Sequence, residues 1–514
     1  MVGSVYIYTT MAFIRKIKIG EKIYLAEVKS VREGSKVKQK FIRYVGREVN
    51  GKRIFSGSSE EIEVTGVKIW APLIVLDRLA KQIDLSEILG DYGEYLLSMV
   101  YAHCIEPKSL NRMEDWFRRT DLHNILKIKE VSEEKLYNAL DSINEKNINF
   151  IQKKIFRSVT EAYKLNPKGY FFDVTNVYFY GTECSIAKKG HNKESTHNPQ
   201  VQIGLAVTKE AGIPIFHKTF EGNIFDARTL QDFLVEFNEL NIEEVTIIWD
   251  RGVTSKENII DSKKAGFEVI CGLAIKQDVQ KRVIEILNNK SNFMQLKNRV
   301  RLKNTVLYCS AHNYKYGEIN GQLILCYNEE KARNNKEKRI DLIQNAQKSL
   351  LKKKPISDGM KIFFNKDFSI NENEVIRAQK YDGYSAIFST KKLSIEEVVK
   401  PYFEKDKVEK AFRSMKSILG LKPIKHWLEE RVKSHIFICY LSYLLFSLLE
   451  TKLKKIQISA VEGLDKLSTA YRVCLRNNRI KNNFDKIVTL SKEQENIIKS
   501  VDKHILKLNV VTKN

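Results

Sequence analysis

The order of segments between residues 169 and 273 most constrains the fold of this 514-residue chain. Three runs rich in β-forming residues come first, GYFFDVTNVYFYG, VQIGLAVTK and IPIFHKTFEG. Residues 226–241 then show the amphipathic spacing of a helix, and two more strand-like runs follow, EVTIIWDRG and FEVICGLA. Because strands and a helix alternate in this way, the sequence predicts an α/β fold with a mixed sheet.

Charge is the second constraint. The chain holds 87 Lys and Arg against 63 Asp and Glu, a net charge of +24 that is spread along its length. Such an excess attracts polyanions, and a distributed basic surface suits a long duplex nucleic acid better than a small anion. A basic protein without a nucleic-acid partner is the alternative interpretation at this stage.

Two regions precede the mixed sheet. Residues 12–56 alternate between apolar and polar side chains and contain turn-forming glycines, which predicts a small antiparallel sheet within an N-terminal β region, residues 1–60. From residue 66 to residue 165, apolar residues recur at three- and four-residue steps, so residues 61–165 are predicted to be helical. This helical block is a candidate DNA-end-binding region, and a supporting scaffold is the equally acceptable alternative.

The remaining regions follow the two strand-like runs. Residues 273–380 mix basic helical stretches with short β-like runs, and we interpret them as a domain inserted into the main fold. That fold comprises residues 166–272 and resumes over residues 381–450 with a strand and helices. Residues 451–514 are predicted to form a basic helical tail.

Cysteine usage and hydropathy restrict the compartment. The seven cysteines form no C-x-x-C pair, which argues against a zinc ribbon or a disulfide framework, and the nine histidines suggested no ligand spacing. The first residues lack the pattern of a secretory signal. The most apolar segment, Ile436–Leu449, falls short of the roughly 20 residues that span a bilayer, so a buried core helix is expected. These features predict a cytoplasmic protein with no membrane partner.

Two carboxylates occupy strand-like runs. Asp173 lies between apolar residues in the first run, where a buried charge is costly unless it is paired or metal-bound. Asp250 ends the run VTIIW, and side chains at the carboxyl ends of strands commonly build α/β active sites. Each has an equally acceptable alternative, because Asp173 could face solvent and Asp250 could cap a loop. For Trp249, core packing is the favoured interpretation.

A third carboxylate lies on a predicted helix. Ser394-x-x-Glu397 is typical of a capping box, and Pro401 is expected to end that helix and start a second one. At about 100° per residue, one polar face of the second helix is shared by Tyr402, Lys405, Glu409, Arg413 and Lys416. The buried side is expected to comprise Val408, Ala411, Phe412, Met415, Ile418 and Leu419. A solvated face with intrahelical ion pairs is the alternative.

This polar face also carries a family resemblance. Tyr402-x2-Lys405-x3-Glu409-x6-Lys416 resembles the Y-x2-R-x3-E-x6-K signature of insertion-sequence transposases with a DDE catalytic domain. The runs FFDVTNVYFYG and IIWDRG stand where that family has its first two catalytic carboxylates, and residues 190–207 resemble the segment after the first of them. The resemblance spans roughly residues 169–450, including the large insertion before the glutamate.

The resemblance implies a ribonuclease H-like catalytic domain in which Asp173, Asp250 and Glu409 bind the catalytic metal ions. Carboxylates suit Mg²⁺, which is small and hard, and two such ions can activate the attacking oxygen and stabilise the leaving one. Mn²⁺ is the expected substitute for Mg²⁺ in this site. Contacts to transposon-end DNA are implied for Tyr402, Lys405 and Lys416, to which the sequence adds Arg413 and Arg251 as DNA-binding candidates. Lys405 departs from the signature, which has arginine there, and offers a point charge instead of a two-pronged contact.

These observations predict a cut-and-paste DNA transposase that cleaves at transposon ends and transfers the 3′-OH into target DNA. Its partners would be double-stranded DNA, both terminal inverted repeats and target, and a second copy of the chain in the synaptic complex. The expected location is the cytoplasm of a prokaryote, at the nucleoid. The alternatives are a catalytically silent DNA-binding protein derived from a transposase and a metal-independent carboxylate hydrolase such as a glycosidase.

Overall fold

The computed structural model describes residues 12–508 apart from residues 21, 34–35, 50, 56–61, 166–168, 180–182, 191–197, 225, 241–244, 289–292, 304 and 479–481. The chain divides into two compact units. The first unit comprises Met1–Val75, Arg118–Asp121 and Gly463–Asn514, and the second comprises Leu76–Phe117 and Leu122–Glu462.

The secondary structure of the described residues is as follows. The strands are β1 Ala12–Ile19, β2 Lys22–Glu33, β3 Lys36–Val49, β4 Lys52–Phe55, β5 Ile62–Ile69, β6 Gly169–Tyr178, β7 Gln200–Thr208, β8 Pro214–Glu221, β9 Thr246–Trp249, β10 Glu268–Leu273, β11 Arg299–Arg301, β12 Val306–Tyr316, β13 Ile319–Tyr327, β14 Tyr384–Ser389, β15 Tyr471–Asn477 and β16 Asn482–Ile487. The helices are α1 Ala71–Lys81, α2 Leu85–Leu89, α3 Gly93–Ile105, α4 Met113–Arg118, α5 Leu122–Ile125, α6 Glu133–Asp141, α7 Glu145–Ala162, α8 Asp226–Asn238, α9 Lys256–Lys264, α10 Gln277–Asn288, α11 Glu329–Leu351, α12 Asp358–Lys361, α13 Glu372–Gln379, α14 Ile395–Phe403, α15 Asp406–Ser417, α16 Glu429–Leu453, α17 Ala460–Leu467 and α18 Lys492–Asp502.

The first unit contains two sheets. One is the four-stranded antiparallel sheet β1-β2-β3-β4, as the alternating pattern of residues 12–56 predicts. The other has the order β16-β15-β5 and joins the N-terminal part of the chain to its C-terminal part. Each strand of this second sheet falls in a region that the sequence had assigned to helices.

Two sequence predictions are therefore wrong in part. Residues 62–69, inside the predicted helical block, form β5 because IEVTGVKI alternates and is rich in β-branched residues. Residues 451–514 are not a helical tail, since β15 and β16 lie between α17 and α18 and pair with each other. Their few apolar side chains gave a weak strand signal, and pairing with the distant β5 supplies the hydrogen bonds that local sequence does not reveal.

The second unit is organised around a nine-stranded mixed sheet with the order β11-β12-β13-β14-β10-β9-β6-β7-β8. The strands β6, β7 and β8 pair antiparallel, as successive strands joined by short connections do. The strands β9 and β10 lie parallel to β6, each reached through a helix, α8 or α9. The predicted order of three strands, a helix and two strands is confirmed, with α9 added between the last two.

Residues 273–380 were predicted to be a separate insertion, and the structure shows that their strands belong to the same sheet. The strand β13 pairs antiparallel with β14 over six residue pairs, and β14 pairs in turn with β10. Among the described residues of this segment, the helices α10 to α13 stand outside the sheet. The short β-like runs of the sequence gave no sign of this pairing, because the partner strand β14 is about sixty residues further along the chain.

Apolar side chains cover both faces of the sheet. On one face, aromatic residues of β6, β8 and α8 pack together, with the rings of Phe172 and Phe233 4.4 Å apart and those of Phe216 and Phe233 5.1 Å apart. Trp249 at the end of β9 is fully buried, as expected, and its indole N–H donates to Thr254 Oγ1 at 3.0 Å. Burial of each such ring contributes about 1.5–3 kcal/mol, which fixes the ends of β6 and β9 in place.

The helix α16 packs against α3, α6 and β8. Among the described residues it is the one helix long and apolar enough to cross a membrane, and its most apolar stretch is wholly buried inside the protein. The prediction of a buried core helix around Ile436–Leu449 is confirmed, although the helix is longer than that segment.

Candidate active site

Asp173 and Asp250 belong to neighbouring parallel strands, Asp173 in the middle of β6 and Asp250 directly after β9. The register of β6 and β9 pairs Gly169 with Thr246 and continues to Phe171 opposite Ile248. The pairing ends there, and the same register continued by two residues would put Asp173 level with Asp250, on strands that lie about 4.8 Å apart. Asp173 is half-buried, and its two neighbours in β6, Phe172 and Val174, are buried. The two carboxylates that the sequence predicted as partners therefore occupy adjacent positions at one point of the sheet.

Asp250 is held by donors from three directions. It follows β9 in extended conformation, and its Oδ1 accepts a hydrogen bond from the backbone N–H of Arg251 at 2.8 Å. The phenolic O–H of Tyr402 donates to the same oxygen at 3.0 Å, and Lys405 Nζ lies 3.3 Å from Oδ2. Partial burial raises the pKa of Asp250, but these donors outweigh it and lower the pKa below its usual value. The carboxylate is therefore ionised at neutral pH and able to bind a cation.

The third carboxylate, Glu409, lies on α15, whose two ends are each tied to the sheet. At the start of the helix Lys405 contacts Asp250, and near its end Lys416 Nζ donates to Thr175 Oγ1 at 2.7 Å. Glu409 is four residues after Lys405 and seven before Lys416, so the three share one face of the helix. The helix α15 packs against β6, and Glu409 lines the same cleft as Asp250.

The helix boundaries differ from the sequence prediction in one respect. The capping box of Ser394 and Glu397 is confirmed, with both reciprocal hydrogen bonds present. Pro401, however, lies inside α14 and does not start a second helix, because the break falls at Glu404 and Lys405. The proline comes late enough in α14 that one lost backbone hydrogen bond does not end the helix there.

The predicted faces are largely confirmed, with two exceptions. The expected buried residues of the second helix are buried, namely Val408, Ala411, Phe412, Met415 and Leu419. Ile418, assigned to the same side, is 37% exposed because it lies past the last turn of the helix. Tyr402, assigned to the polar face, is only 8% exposed and points its hydroxyl at Asp250. Arg413 and Glu409 are exposed, as predicted.

Asp250 and Glu409 line one open cleft with a volume of about 620 Å³. Its acidic lining residues are Asp250, Asp406 and Glu409, and its basic ones are Arg251, Lys276, Lys331 and Lys405. Asp173 is not among the residues that line this cleft; it lies in β6, the strand next to β9, which Asp250 follows. A cleft that combines carboxylates with a surplus of cations suits a divalent metal ion together with a polyanion.

Lys331, at the start of α11, was missed by the sequence analysis. Its Nζ donates to Ser385 Oγ at 2.8 Å on the wall of the cleft. Partial burial there lowers the pKa of Lys331, the positive charge of Arg251 lowers it further, and the negative charge of Asp250 opposes both. Residues 331–354 are rich in lysine and arginine, but nothing in that run distinguishes Lys331 from its neighbours.

Asp406 was also missed, although it lies within the signature itself. It opens α15, lines the cleft, and pairs with Lys410 at 3.0 Å on the exposed side of the helix. Its position three residues before Glu409 was a usable signal, since residues three apart lie close together on a helix. Asp406 is thus the natural comparison residue for Glu409.

Gly272 in β10 provides the space that Tyr402 occupies. A Cβ atom at this position would lie 2.2 Å from the Tyr402 hydroxyl oxygen, far inside van der Waals contact. The glycine therefore permits the hydroxyl to reach Asp250. FEVICGLA was recognised as a strand, but a need for glycine within it becomes visible only with Tyr402 in place.

The donor set fits the divalent ions that the sequence predicts. The available ligands are carboxylate oxygens from β6, from the end of β9 and from α15, which are the hard donors that Mg²⁺ prefers. Asp250 is held ionised by its neighbours, and Glu409 is accessible in the same cleft. Residues 191–197, part of the segment that resembles the family after its first aspartate, lie outside the described residues, while 200–207 form most of β7.

Comparisons with known proteins give distant structural likenesses. The chain is similar to the piggyBac transposase in a synaptic complex with hairpin DNA, at 11% identity and a TM-score of 0.36, over 78% of this chain and 81% of that one. It is also similar to the Mos1 transposase in a paired-end complex with the left transposon end, at 14% identity and a TM-score of 0.16, over 29% and 52% of the chains. No protein-family model matches the sequence, and no curated protein matches it either. At these TM-scores no residue role is transferred from either transposase.

Proposed function

We propose that this chain is a DNA transposase of the DDE type, in which Asp173, Asp250 and Glu409 bind two Mg²⁺ ions. The observation that supports the proposal is that Asp173 and Asp250 come from the adjacent parallel strands β6 and β9, while Glu409 lines the same cleft as Asp250. Residues 77 positions apart in the sequence meet there, and the third comes from 159 positions further on. A carboxylate hydrolase that needs no metal would leave the basic lining of the cleft and the net charge of +24 without a purpose.

The sheet supports a ribonuclease H-like assignment for the catalytic region. Three antiparallel strands, β6 to β8, are followed by two parallel strands, β9 and β10, on the other side of β6. This arrangement puts the first and fourth strands of the series side by side, so their two aspartates meet. The proposal places the catalytic region in residues 166–272 and 381–450, with β11 to β13 extending its sheet.

The chain's own side chains would prepare the site in three ways. Tyr402 and Lys405 hold Asp250 ionised and in a fixed orientation. The tie between Lys416 and Thr175 fixes the position of α15 and therefore of Glu409. Lys331 and Arg251 would offset the negative charge of a phosphodiester that enters the cleft. When bound, Mg²⁺ would supply activation of the attacking oxygen and stabilisation of the leaving oxygen.

In this proposal the partners are the terminal inverted repeats of the element and a target duplex. Lys416, Arg413 and the exposed cations around the cleft would contact phosphates. Two copies of the chain would hold two ends, and the enzyme would act at the nucleoid in the cytoplasm. The net charge and the basic residues of the cleft support a DNA partner.

The proposal is tested with a supercoiled plasmid that carries the DNA flanking the gene on both sides. With Mg²⁺ or Mn²⁺, the wild-type protein is expected to cut at the element ends, and Asp173→Asn and Asp250→Asn are expected to abolish cutting. Glu409→Gln is expected to stop cutting while leaving end binding largely intact, because the neighbouring cations stay in place. Asp406→Asn is the matched control on the same helix and should keep most of the activity.

Three results would count against this assignment. Binding of the ends without cutting by the wild-type protein would instead indicate a silent DNA-binding protein. If Asp406→Asn abolished cutting and Glu409→Gln did not, the third carboxylate would be Asp406. Cutting that persists in a strong chelator would remove the metal from the mechanism.

A further inference from the structure

A second cluster of potential ligands lies in the helical part of the second unit, formed by residues of α3 and α16. Cys439 Sγ lies 3.8 Å from His103 Nδ1 and 3.8 Å from His435 Nε2. One ligand atom from each of the three residues lies within 4.8 Å of the others. His435 and Cys439 are four residues apart on α16, so the helix itself places them on one face.

These separations are close to those of a tetrahedral zinc site. Zinc bonds of about 2.3 Å to sulfur and about 2.0–2.1 Å to nitrogen place such ligands roughly 3.3–3.6 Å apart. The distance from Cys439 Sγ to His435 Nε2, 3.8 Å, exceeds this by only a few tenths of an ångström. The three potential ligand atoms lie within 4.8 Å of one another, so they must draw closer to surround an ion.

The two imidazoles are also oriented as metal ligands commonly are. His103 Nδ1 lies 2.6 Å from the carbonyl oxygen of Leu419, so an N–H there would donate, and the His103 nitrogen left to bind an ion is Nε2, not the Nδ1 atom that lies 3.8 Å from the thiol. His435 makes a backbone hydrogen bond at Leu421, and its Nε2 faces the thiol. Both carbonyls belong to the turn that follows α15. Backbone oxygens thus set which nitrogen of each ring is available.

The cluster borders an open cleft of about 520 Å³, which provides an entry path and a fourth position. His426 lines the same cleft, with its ring centroid 5.5 Å from that of His435. Lys422 and Lys425 lie on the rim. Lys425 is exposed, so water and salt screen its repulsion of a cation. Either His426 or a water molecule can complete four-coordination at this cleft.

We propose that His103, His435 and Cys439 form a structural zinc site, with the fourth position facing the cleft that His426 lines. Sulfur and imidazole donors favour zinc over Mg²⁺, so the ion is distinct from those of the proposed active site. Binding converts the Cys439 thiol to a thiolate and releases one proton, which makes the affinity fall at acid pH. The bound ion would join α3 and α16 beside the turn that leads out of α15.

This inference does not depend on the proposed function, and its test reads the metal directly. The full chain is produced in zinc-supplemented medium, dialysed, and analysed for metal, with about one zinc per chain expected. The bound zinc is then replaced by cobalt, and a thiolate-to-cobalt charge-transfer band is expected in the absorption spectrum. Cobalt bound by the carboxylates of Asp173, Asp250 and Glu409 would give no such band.

Two variants separate coordination from packing. Cys439→Ser is expected to abolish the charge-transfer band, and His435→Ala to lower the metal content. Cys104→Ser is the matched control, because Cys104 is a buried thiol on α3 that faces the carbonyl of Ser442. Circular dichroism establishes that each variant folds. A metal-free wild-type protein, a band that survives in Cys439→Ser, or a melting temperature that zinc fails to raise in the wild type would each overturn the proposal.

Discussion

Tyr402 donates its phenolic hydrogen to Asp250 Oδ1 across a distance of 3.0 Å, although 152 residues separate the two in the sequence. Burial raises the pKa of Tyr402, as does the negative charge of Asp250, so the hydroxyl keeps its proton and acts only as a donor to the carboxylate. The tyrosine of the signature is therefore a partner of a carboxylate in this fold. The same holds for Lys405, whose ammonium group lies 3.3 Å from Asp250 Oδ2 and 5.1 Å from the Tyr402 ring centre.

Replacement of Tyr402 by phenylalanine removes one of the donors that lower the pKa of Asp250. The pKa of Asp250 is then expected to rise towards its usual value, so the acid limb of the pH profile for DNA cleavage should move to higher pH. Cleavage at neutral pH should fall roughly tenfold, as for loss of a hydrogen bond to a charged group at a half-exposed site. Tyr381→Phe, in the same cleft, is the control, and an unshifted profile in Tyr402→Phe would contradict the assigned contact.

Replacement of Gly272 by alanine tests the same contact from the other side. The added Cβ would meet the Tyr402 hydroxyl at 2.2 Å, so the tyrosine must withdraw from Asp250. We expect loss of cleavage together with a decrease of about 1–3 kcal/mol in the free energy of unfolding, as for overpacking of a well-filled core. Urea denaturation and plasmid cleavage measure the two effects.

The control for that substitution is Gly359→Ala. Gly359 lies in α12, and a Cβ there would meet no atom within 4 Å. This variant should be as active as the wild type and unchanged or slightly more stable. Full activity in Gly272→Ala would show that Tyr402 is not needed at Asp250.

The tie between Lys416 and Thr175 separates positioning from charge. Thr175→Val keeps the lysine but removes its acceptor, so cleavage should fall while the salt dependence of DNA binding stays the same. Lys416→Ala should lower cleavage and also reduce the slope of log affinity against log salt concentration by about 0.9, one phosphate contact. Electrophoretic binding assays at several salt concentrations measure the slope. Equal slopes for Lys416→Ala and the wild type would rule out a phosphate contact by this lysine.

A buried histidine predicts how stability depends on pH. His217 is 2% exposed, donates from Nδ1 to Gln152 Oε1 at 2.7 Å, and stacks on the Tyr440 ring at 4.7 Å. Burial lowers the pKa of His217 to about 3, whereas in the unfolded chain it is near 6.5. Protons therefore bind the unfolded state preferentially between these values. The contribution of neutral, buried His217 to the free energy of unfolding is complete above about pH 6.5 and is lost as the pH falls towards 3.

The variant His217→Phe isolates this effect, because phenylalanine keeps the stacking and the backbone N–H to Gln152. Between about pH 6 and pH 4, its free energy of unfolding should fall less steeply than that of the wild type, by up to about 1.4 kcal/mol per pH unit. Urea denaturation in the presence of a chelator measures both slopes. Parallel slopes would show that His217 takes up its proton in the folded state.

The parts of the fold that follow from local pattern were visible in the sequence. The strands around Asp173 and Asp250 were predicted because each contains a run of apolar residues, as buried strands require. The register that aligns the two aspartates could not be predicted, since it depends on how α8 returns the chain to the sheet. The same applies to Lys331 and Gly272, whose roles arise from contacts with residues on distant segments.

The failures share a physical cause. The strands β5 and β15 are stabilised by pairing with each other across about 400 residues, and neither segment alone reveals its partner. The spacing of His435 and Cys439 was present in the sequence, but His103 joins them only when α3 packs on α16. The spacing of cysteines and histidines did not predict a zinc site, because a set of ligands completed by a residue from a distant helix has no short sequence pattern.

The hydrogen bonds that join β13 to β14 and β14 to β10 have a consequence for any shortened version of this protein. Deletion of residues 273–380 would remove β13, one of the two neighbours of β14. The unpaired backbone groups of β14 would then form an exposed sheet edge that can pair with other chains. A version of the protein without residues 273–380 is therefore expected to aggregate. Exchange of this segment between related proteins is expected to succeed only when the strand-pairing register travels with it.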